Sequence, residues 1–183
     1  KTESILATDF RYIEQATAQS PEYKIHRISG GSDWLTEIAQ SMNLQSIGFE
    51  SQDLSYAIHS AFNSSLQKLP KDKSPDFVPT SGLLENMRLV KDSEESSLLS
   101  KAIEISDQAL DTVKELITPG MTERQVAWEL EKKMRDLGAD GPSFPTIVGA
   151  GGNGALPHHR PDDTVIQSGD PVVIDMGAIY KGY

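Results

Sequence analysis

Residues 172–177 read Val-Val-Ile-Asp-Met-Gly, a strand-like apolar run that a single carboxylate interrupts. A strand buried inside a sheet is expected to be apolar throughout, so Asp175 departs from the pattern. A buried carboxylate without a partner is costly in free energy, and such groups are therefore ion-paired, hydrogen-bonded or bound to a metal. From these residues alone two interpretations stay open: Asp175 caps the turn at Gly177, or it is a metal ligand.

A loop rich in glycine and proline precedes this strand and carries two adjacent histidines, His158 and His159. Three of its glycines satisfy the G-x-G-x-x-G pattern of dinucleotide-binding sites, which requires a helix to begin at the last glycine. Two prolines follow instead, and proline opposes a helix interior, so we reject the nucleotide interpretation. Two histidines in a loop that leads into a strand with a carboxylate indicate a functional site. The glycines and prolines are Gly149, Gly151, Gly154, Pro157 and Pro161.

Four motifs in this part of the chain occur together. They are Phe-Pro-Thr-Ile-Val at 144–148, Asn-Gly-Ala-Leu-Pro-His-His-Arg-Pro at 153–161, Gly-Asp at 169–170 and Val-Ile-Asp-Met-Gly-Ala at 173–178. In combination they resemble the creatinase, prolidase and methionine aminopeptidase superfamily of M24 type. The resemblance is closest to its proline-specific members, Xaa-Pro aminopeptidase and Xaa-Pro dipeptidase.

The resemblance implies a role for two of the residues already singled out. In that family the Asp of the corresponding strand is the first of five ligands to a dinuclear metal centre, which maps to Asp175. The family's substrate-contacting histidine follows the proline of the loop, which maps to His158, whereas His159 receives no role. The remaining ligands of the family pattern would lie beyond Tyr183. We therefore expect a chain truncated at both ends, whose 183 residues alone are inactive.

The domain organisation follows from the patterns upstream. Residues 1–88 alternate strand and helix patterns, which predicts an α/β domain, and they resemble the N-terminal domain of the same peptidases with its start incomplete. Two amphipathic helices follow, each opened by a capping box. These helices resemble the opening of the family's α+β catalytic domain, the pita-bread fold, so we expect residues 89–183 to form its first part. The boxes pair Asp92 with Glu95 and Thr122 with Gln125.

Composition excludes several classes of function. A formal net charge of −10 argues against nucleic acid or an anionic membrane as a partner. The chain has no cysteine, which excludes a disulfide framework and thiol catalysis and fits a reducing, cytoplasmic location. No apolar run approaches the roughly 18 residues of a membrane span.

We predict a metal-dependent exopeptidase that hydrolyses the peptide bond before proline, an Xaa-Pro aminopeptidase or dipeptidase. The resemblance implies two divalent ions (Mn, Co or Zn), a proline-containing peptide as substrate, His158 as the catalytic residue that contacts it, and a homodimer. Two alternatives stay open. One is a non-catalytic binding protein on the same scaffold, and the other is a methionine aminopeptidase, which ordinarily lacks the N-terminal α/β domain. The residues after Tyr183 would decide between enzyme and binding protein.

Overall fold

The computed structural model describes residues 3–183. The chain divides after Met87 into two compact units, of which the second is Arg88–Tyr183. Residues 1 and 2 of the predicted N-terminal domain lie outside the described residues. None of the helices between residues 3 and 183 combines the length and the apolar character needed to cross a bilayer.

The first unit alternates strands and helices along the chain. Its elements are β1 (Ile5–Thr8), α1 (Ile13–Gln19), β2 (Lys24–Arg27), α2 (Asp33–Ser41), β3 (Ser46–Glu50), α3 (Tyr56–Leu66) and β4 (Asp76–Thr80). β1 pairs in parallel with β2, and β3 pairs in parallel with β4. Parallel neighbours need a crossover connection, and α1 and α3 supply it. The predicted α/β character of this part of the chain is confirmed.

The last strand of the first unit, β4, is not evident from the sequence because Pro79 lies within it. Proline removes a donor from the ladder and is tolerated mainly on edge strands. In the structure Pro79 lies opposite Phe49, so the strand forms despite the missing donor. The ring of Phe77 lies 4.4 Å from that of Phe49 and stacks on His59 at 5.3 Å, measured between ring centroids. Aromatic packing between the strands and α3 therefore supports β4 where backbone propensity does not.

The second unit consists of helices followed by short antiparallel strands. Its elements are α5 (Ser93–Lys114), α6 (Glu123–Asp136), β5 (Gly141–Pro142), β6 (Ile147–Ala150), β7 (Val172–Asp175) and β8 (Ala178–Ile179), and a short helix α4 (Leu83–Leu89) crosses the division between the units. β5 pairs with β8 and β6 pairs with β7, both antiparallel. This is the α+β arrangement that the sequence predicts for the second part of the chain.

Both predicted capping boxes are present. Asp92 Oδ1 accepts from the backbone N–H of Glu95 at 2.9 Å, and Glu95 Oε2 accepts from the N–H of Asp92 at 2.8 Å. Thr122 Oγ1 accepts from the N–H of Gln125 at 3.2 Å, and Gln125 Oε1 accepts in return at 2.9 Å. The reciprocal bonds satisfy amides that have no partner inside the helix, which fixes where α5 and α6 begin.

The core of the second unit lies between these two helices and the antiparallel strands. One cluster of buried side chains joins the end of α5 and the start of α6 to β6, and a second joins the middle of α5 and the end of α6 to β8. The first cluster contains Val113, Val126, Leu130, Val148, Ala150 and Ile166, and the second contains Ile105, Ala109, Met134, Ala139 and Ala178. The first turn of α6 is therefore packed directly against β6.

The strand that carries Asp175 is covered on one face within residues 3–183. Val172 and Ile174 pack on the first core cluster, while Val173 is 47% exposed and Asp175 is also exposed. The expectation of a strand buried on both faces is thus wrong for the described residues. The period of two places Asp175 on the outward face together with Val173.

Candidate functional site

The candidate site is built on the antiparallel pair β6 and β7. Ile147 pairs with Asp175, and Gly149 pairs with Val173. Residues directly opposite one another on an antiparallel pair share a face, and so do residues two apart along a strand. Asp175, Val173 and Gly149 therefore lie on one face of the pair, opposite the face that packs on the helices.

The loop after β6 folds back over the Asp175 face. Its first part is a 3-10 helix at Gly151–Ala155 rather than an α-helix, in agreement with the rejection of a dinucleotide site. A Cβ built on Gly149 would lie 2.9 Å from a backbone oxygen of the loop, and one built on Gly154 would lie 3.1 Å from Val173 Cγ2. Glycine at both positions therefore lets the loop backbone rest directly on the face that carries Asp175.

The two histidines lie in a tight turn that follows. The N–H of His159 donates to the carbonyl oxygen of Leu156 at 3.2 Å, which places Pro157 and His158 at the centre of the turn. The fixed φ of proline suits the second position of such a turn. His158 is exposed, whereas the side chain of His159 is 9% exposed. The adjacent histidines thus have different surroundings, and His158 is the one left accessible.

The partner of His159 is Glu123, the first residue of α6, which is 0% exposed. His159 Nε2 lies 2.6 Å from Glu123 Oε2, and the N–H of Asp162 donates to the same oxygen at 3.3 Å. The other oxygen, Oε1, accepts from the N–H of Ala150 at 2.8 Å and from Asn153 Nδ2 at 2.9 Å. Each carboxylate oxygen therefore has two hydrogen-bond partners.

The hydrogen bonds decide the charge of this buried group. Burial by itself raises the pKa of Glu123, but the bonds from the N–H of Ala150, the ring of His159, the amide of Asn153 and the N–H of Asp162 outweigh it and hold the pKa below its usual value. An ionised carboxylate can only accept hydrogen bonds, so the proton of this contact lies on His159 Nε2. Glu123 is consequently a buried anion compensated entirely by hydrogen bonds.

Glu123, His159 and Asp162 offer ligand atoms within 4.8 Å of one another, a separation short enough for three ligands of one metal ion. Nitrogen and oxygen ligands of a zinc ion lie at about 2 Å from it, which separates them by about 3 Å in a tetrahedral site. The 2.6 Å between His159 Nε2 and Glu123 Oε2 is instead the length of a charge-assisted hydrogen bond. Both oxygens of Glu123 are thus engaged by hydrogen-bond donors.

Asp175 has surroundings different from those of Glu123. Its carboxylate lies at the end of β7 on the exposed face, and among residues 3–183 no hydrogen bond or ion pair occupies it. No hydrogen bond from the turn at Gly177 reaches the Asp175 carboxylate among residues 3–183, and the N–H of Ala178 donates to Ser106 Oγ at 3.0 Å. Asp175 therefore keeps an exposed carboxylate without a partner among residues 3–183, and its role as a metal ligand stays a prediction.

Glu123 has no predicted role, and its place in the sequence explains why. It follows Thr122 at the start of α6, where an acidic residue is ordinarily an exposed group that interacts with the helix dipole. The signal that could have pointed to it was His159, a second histidine without a role, which lies 36 residues further along the chain.

Each of the two parts of the chain matches a known protein family. Residues 97–183 match the metallopeptidase family M24, and residues 1–90 match the creatinase/prolidase N-terminal domain. Residues 97–183 belong to the M24 metallopeptidase family. Members of this family use divalent metal ions. The predicted fold class of this chain, an α/β N-terminal domain followed by the opening part of an α+β pita-bread catalytic domain, is confirmed.

Relatives of this chain include an uncharacterized peptidase and an Xaa-Pro dipeptidase. The uncharacterized peptidase YqhT of Bacillus subtilis is 37% identical over 177 residues, which cover 96% of this chain and 48% of the relative. The Xaa-Pro dipeptidase of Pyrococcus horikoshii is 35% identical over 178 residues, which cover 93% of this chain and 49% of the relative. The chain spans about half the length of the curated relatives it matches.

Solved structures show the same relationship. The Xaa-Pro dipeptidase from Bacillus anthracis superposes with a TM-score of 0.88 at 39% identity, covering 97% of this chain and 48% of that one. The X-Pro aminopeptidase from Thermotoga maritima superposes with a TM-score of 0.85 at 34% identity, covering 98% of this chain and 50% of that one.

Proposed function

We propose that the protein is a metal-dependent exopeptidase that hydrolyses the peptide bond before proline, as an Xaa-Pro aminopeptidase or Xaa-Pro dipeptidase. The observation that carries this proposal is the loop of His158, which is seated on the face of β7 that presents Asp175. The relatives and solved structures that act on Xaa-Pro peptides support the substrate class.

We assign Asp175 as a metal ligand and His158 as the residue that contacts the substrate. Carboxylate and imidazole ligands suit Mn, Co or Zn, and we propose two divalent ions of one of these metals at the site of the complete protein. When bound, such ions act as Lewis acids and lower the pKa of a bound water. The part of His158 is to donate a hydrogen bond to the substrate, where it can stabilise negative charge that develops on the scissile carbonyl oxygen.

We further propose a homodimer that works in the cytoplasm. The lack of cysteine suits a reducing compartment, and a formal net charge of −10 keeps the protein away from anionic membranes and nucleic acid. Size-exclusion chromatography with light scattering tests the dimer directly, and a mass equal to one chain contradicts it.

The function is tested with the full-length protein after loading with Mn, Co or Zn. We expect hydrolysis of peptides with proline in the second position and no hydrolysis of matched peptides with alanine there. A tripeptide and a dipeptide of each kind separate the two activities, because an aminopeptidase cleaves the tripeptide and a dipeptidase cleaves the dipeptide only. Binding of the proline peptides without cleavage under any metal would favour a non-catalytic binding protein instead.

A further inference from the structure

The segment 150–162, which contains both histidines, is tied at four separate points to one carboxylate. The four donors to Glu123 come from the end of β6, from the 3-10 helix, from the turn at His159 and from the backbone of Asp162. A loop of this composition has much conformational entropy to lose, and few regular backbone bonds restrain it. The hydrogen-bond ladder between β6 and β7 does not extend over this loop. The buried carboxylate of Glu123 restrains the loop instead.

Further contacts lead from Glu123 into the same segment. Asn153 Nδ2, which donates to Glu123, also lies 3.2 Å from Thr164 Oγ1. The N–H of Thr164 donates to Asp162 Oδ1 at 2.7 Å, and the N–H of Glu123 itself donates to the carbonyl oxygen of Thr164 at 3.1 Å. Both ends of the segment are thus held against the first turn of α6.

We propose that Glu123 and His159 form a positioning pair, whose hydrogen bond fixes the turn at Pro157 and thereby aims the ring of His158 at the substrate. The proposal rests on the proposed function, since it assigns a purpose to the orientation of His158. His159 is covalently next to His158, and its ring is clamped to a buried anion. A shift of the His159 backbone therefore moves the Cα of His158 with it.

Side-chain replacements can separate the hydrogen bond from the shape of the ring. His159→Phe keeps a planar ring and removes the donor to Glu123. His159→Gln keeps a donor at about the position of Nε2, whereas His159→Asn places its amide nitrogen near Nδ1 and falls short of the carboxylate. If the hydrogen bond positions the turn, kcat should decrease from the wild type to His159→Gln and further to His159→Asn and His159→Phe.

The decisive test is a double-mutant cycle on the metal-loaded full-length protein, with an Xaa-Pro peptide as substrate. We expect His159→Phe to lower kcat by about 10- to 100-fold, the scale of a misplacement near 1 Å, with the metal content unchanged. In the His158→Ala background the same replacement should change kcat by less than about 2-fold, because residues that act as a unit are not additive. Equal losses in the two backgrounds, or an unchanged kcat for His159→Phe alone, would overturn the proposal.

A variant that fails to fold does not end the test. If His159→Phe is not stably folded, the comparison moves to His159→Gln and His159→Asn, and equal kcat values for these two polar replacements contradict the pair. Arg124→Gln is the matched control at the start of α6, since it removes an exposed ion pair with Asp163 of 3.3 Å and leaves Glu123 in place. This control should keep the wild-type kcat.

A spectroscopic readout separates failure of the pair from failure of the proposed function. The ring resonances of His158, recorded by two-dimensional nitrogen-proton NMR, should shift or broaden in His159→Phe and stay in place in Arg124→Gln. Unchanged His158 resonances in His159→Phe would refute the pair even in an active enzyme. If the wild type cleaves no Xaa-Pro peptide, the proposed function fails, and the resonances alone decide whether His159 holds the turn.

Discussion

Glu123 Oε2 and His159 Nε2 lie 2.6 Å apart, and this contact joins the first turn of α6 to the turn that carries His158. Glu123 is 0% exposed and therefore depends on its donors to remain charged. The first of our predictions concerns stability: removing the charge of Glu123 leaves buried N–H groups without an acceptor, and such groups carry the full cost of their desolvation.

Glu123→Gln should lower the free energy of unfolding at pH 7 by about 2 kcal/mol, the scale of hydrogen bonds to a charged group. The amide nitrogen of Gln cannot accept from either His159 or the N–H of Asp162. Chemical denaturation measures the change. Glu129→Gln is the control on the same helix, because Glu129 lies 4.0 Å from Lys132 in a solvent-accessible ion pair. A surface replacement of this kind should stay within about 0.5 kcal/mol of the wild type.

The stability that Glu123 contributes should depend on pH in a defined direction. The pKa of Glu123 is lowered in the folded protein from an ordinary value of 4.5. Between the folded and the unfolded pKa the unfolded chain binds more protons, so the contribution is complete above about pH 4.5 and is lost as the pH falls below it. The difference in unfolding free energy between the wild type and Glu123→Gln should therefore narrow at acid pH. A gap that widens as the pH falls would contradict the charged state assigned to Glu123.

Gly149 and Gly152 provide a matched pair for testing how the loop is seated. A Cβ on Gly149 would lie 2.9 Å from a backbone oxygen of the loop, which cannot yield cheaply, whereas a Cβ on Gly152 would meet nothing within 4 Å. We expect Gly149→Ala to destabilise the protein by about 1–3 kcal/mol, as overpacking does. Gly152→Ala should be close to neutral. Equal unfolding midpoints for the two variants would show that the loop does not rest on β6 and β7.

Local rules in the sequence predict much of the fold. The capping boxes at Asp92 and Thr122 are read from residues three apart, and both helices begin where these boxes place them. Strand β4 was not predicted, because Pro79 lowers its strand propensity. The aromatic packing that compensates for Pro79 cannot be seen in a linear sequence pattern. The role of Glu123 was not predicted for the same reason, since its hydrogen-bond donors lie between 27 and 39 residues further along the chain. Contacts of that range depend on the folded chain.

The assignment of Asp175 can be tested by metal content. Asp175→Ala in the full-length protein should lose at least one metal ion per subunit and the peptidase activity with it, because a missing ligand lowers affinity for a hard or borderline cation. Asp163→Ala is the control, since Asp163 is exposed and pairs with Arg124. Elemental analysis after dialysis gives the answer, and full retention of metal in Asp175→Ala would make the assignment wrong.

The two histidines should differ in what their loss changes. His158 is exposed, so His158→Ala should leave the unfolding free energy near that of the wild type while lowering kcat by roughly 100-fold, the scale of a lost acid–base or oxyanion contact. Metal content should stay unchanged, since His158 is assigned to the substrate. His26→Ala is the histidine control in the first unit, where His26 lies 3.7 Å from Glu37.

His159→Ala should behave differently because it deprives the buried Glu123 of a donor. We expect a loss of about 1–3 kcal/mol of unfolding free energy in addition to a lower kcat, the cost of a buried acceptor left short of its partner. Kinetics on an Xaa-Pro peptide, chemical denaturation and metal analysis of both variants separate the two patterns. A stable but inactive His159→Ala beside a fully active His158→Ala would reverse the assignment, because the accessible ring would then have no part in turnover and the buried one would act on the substrate itself.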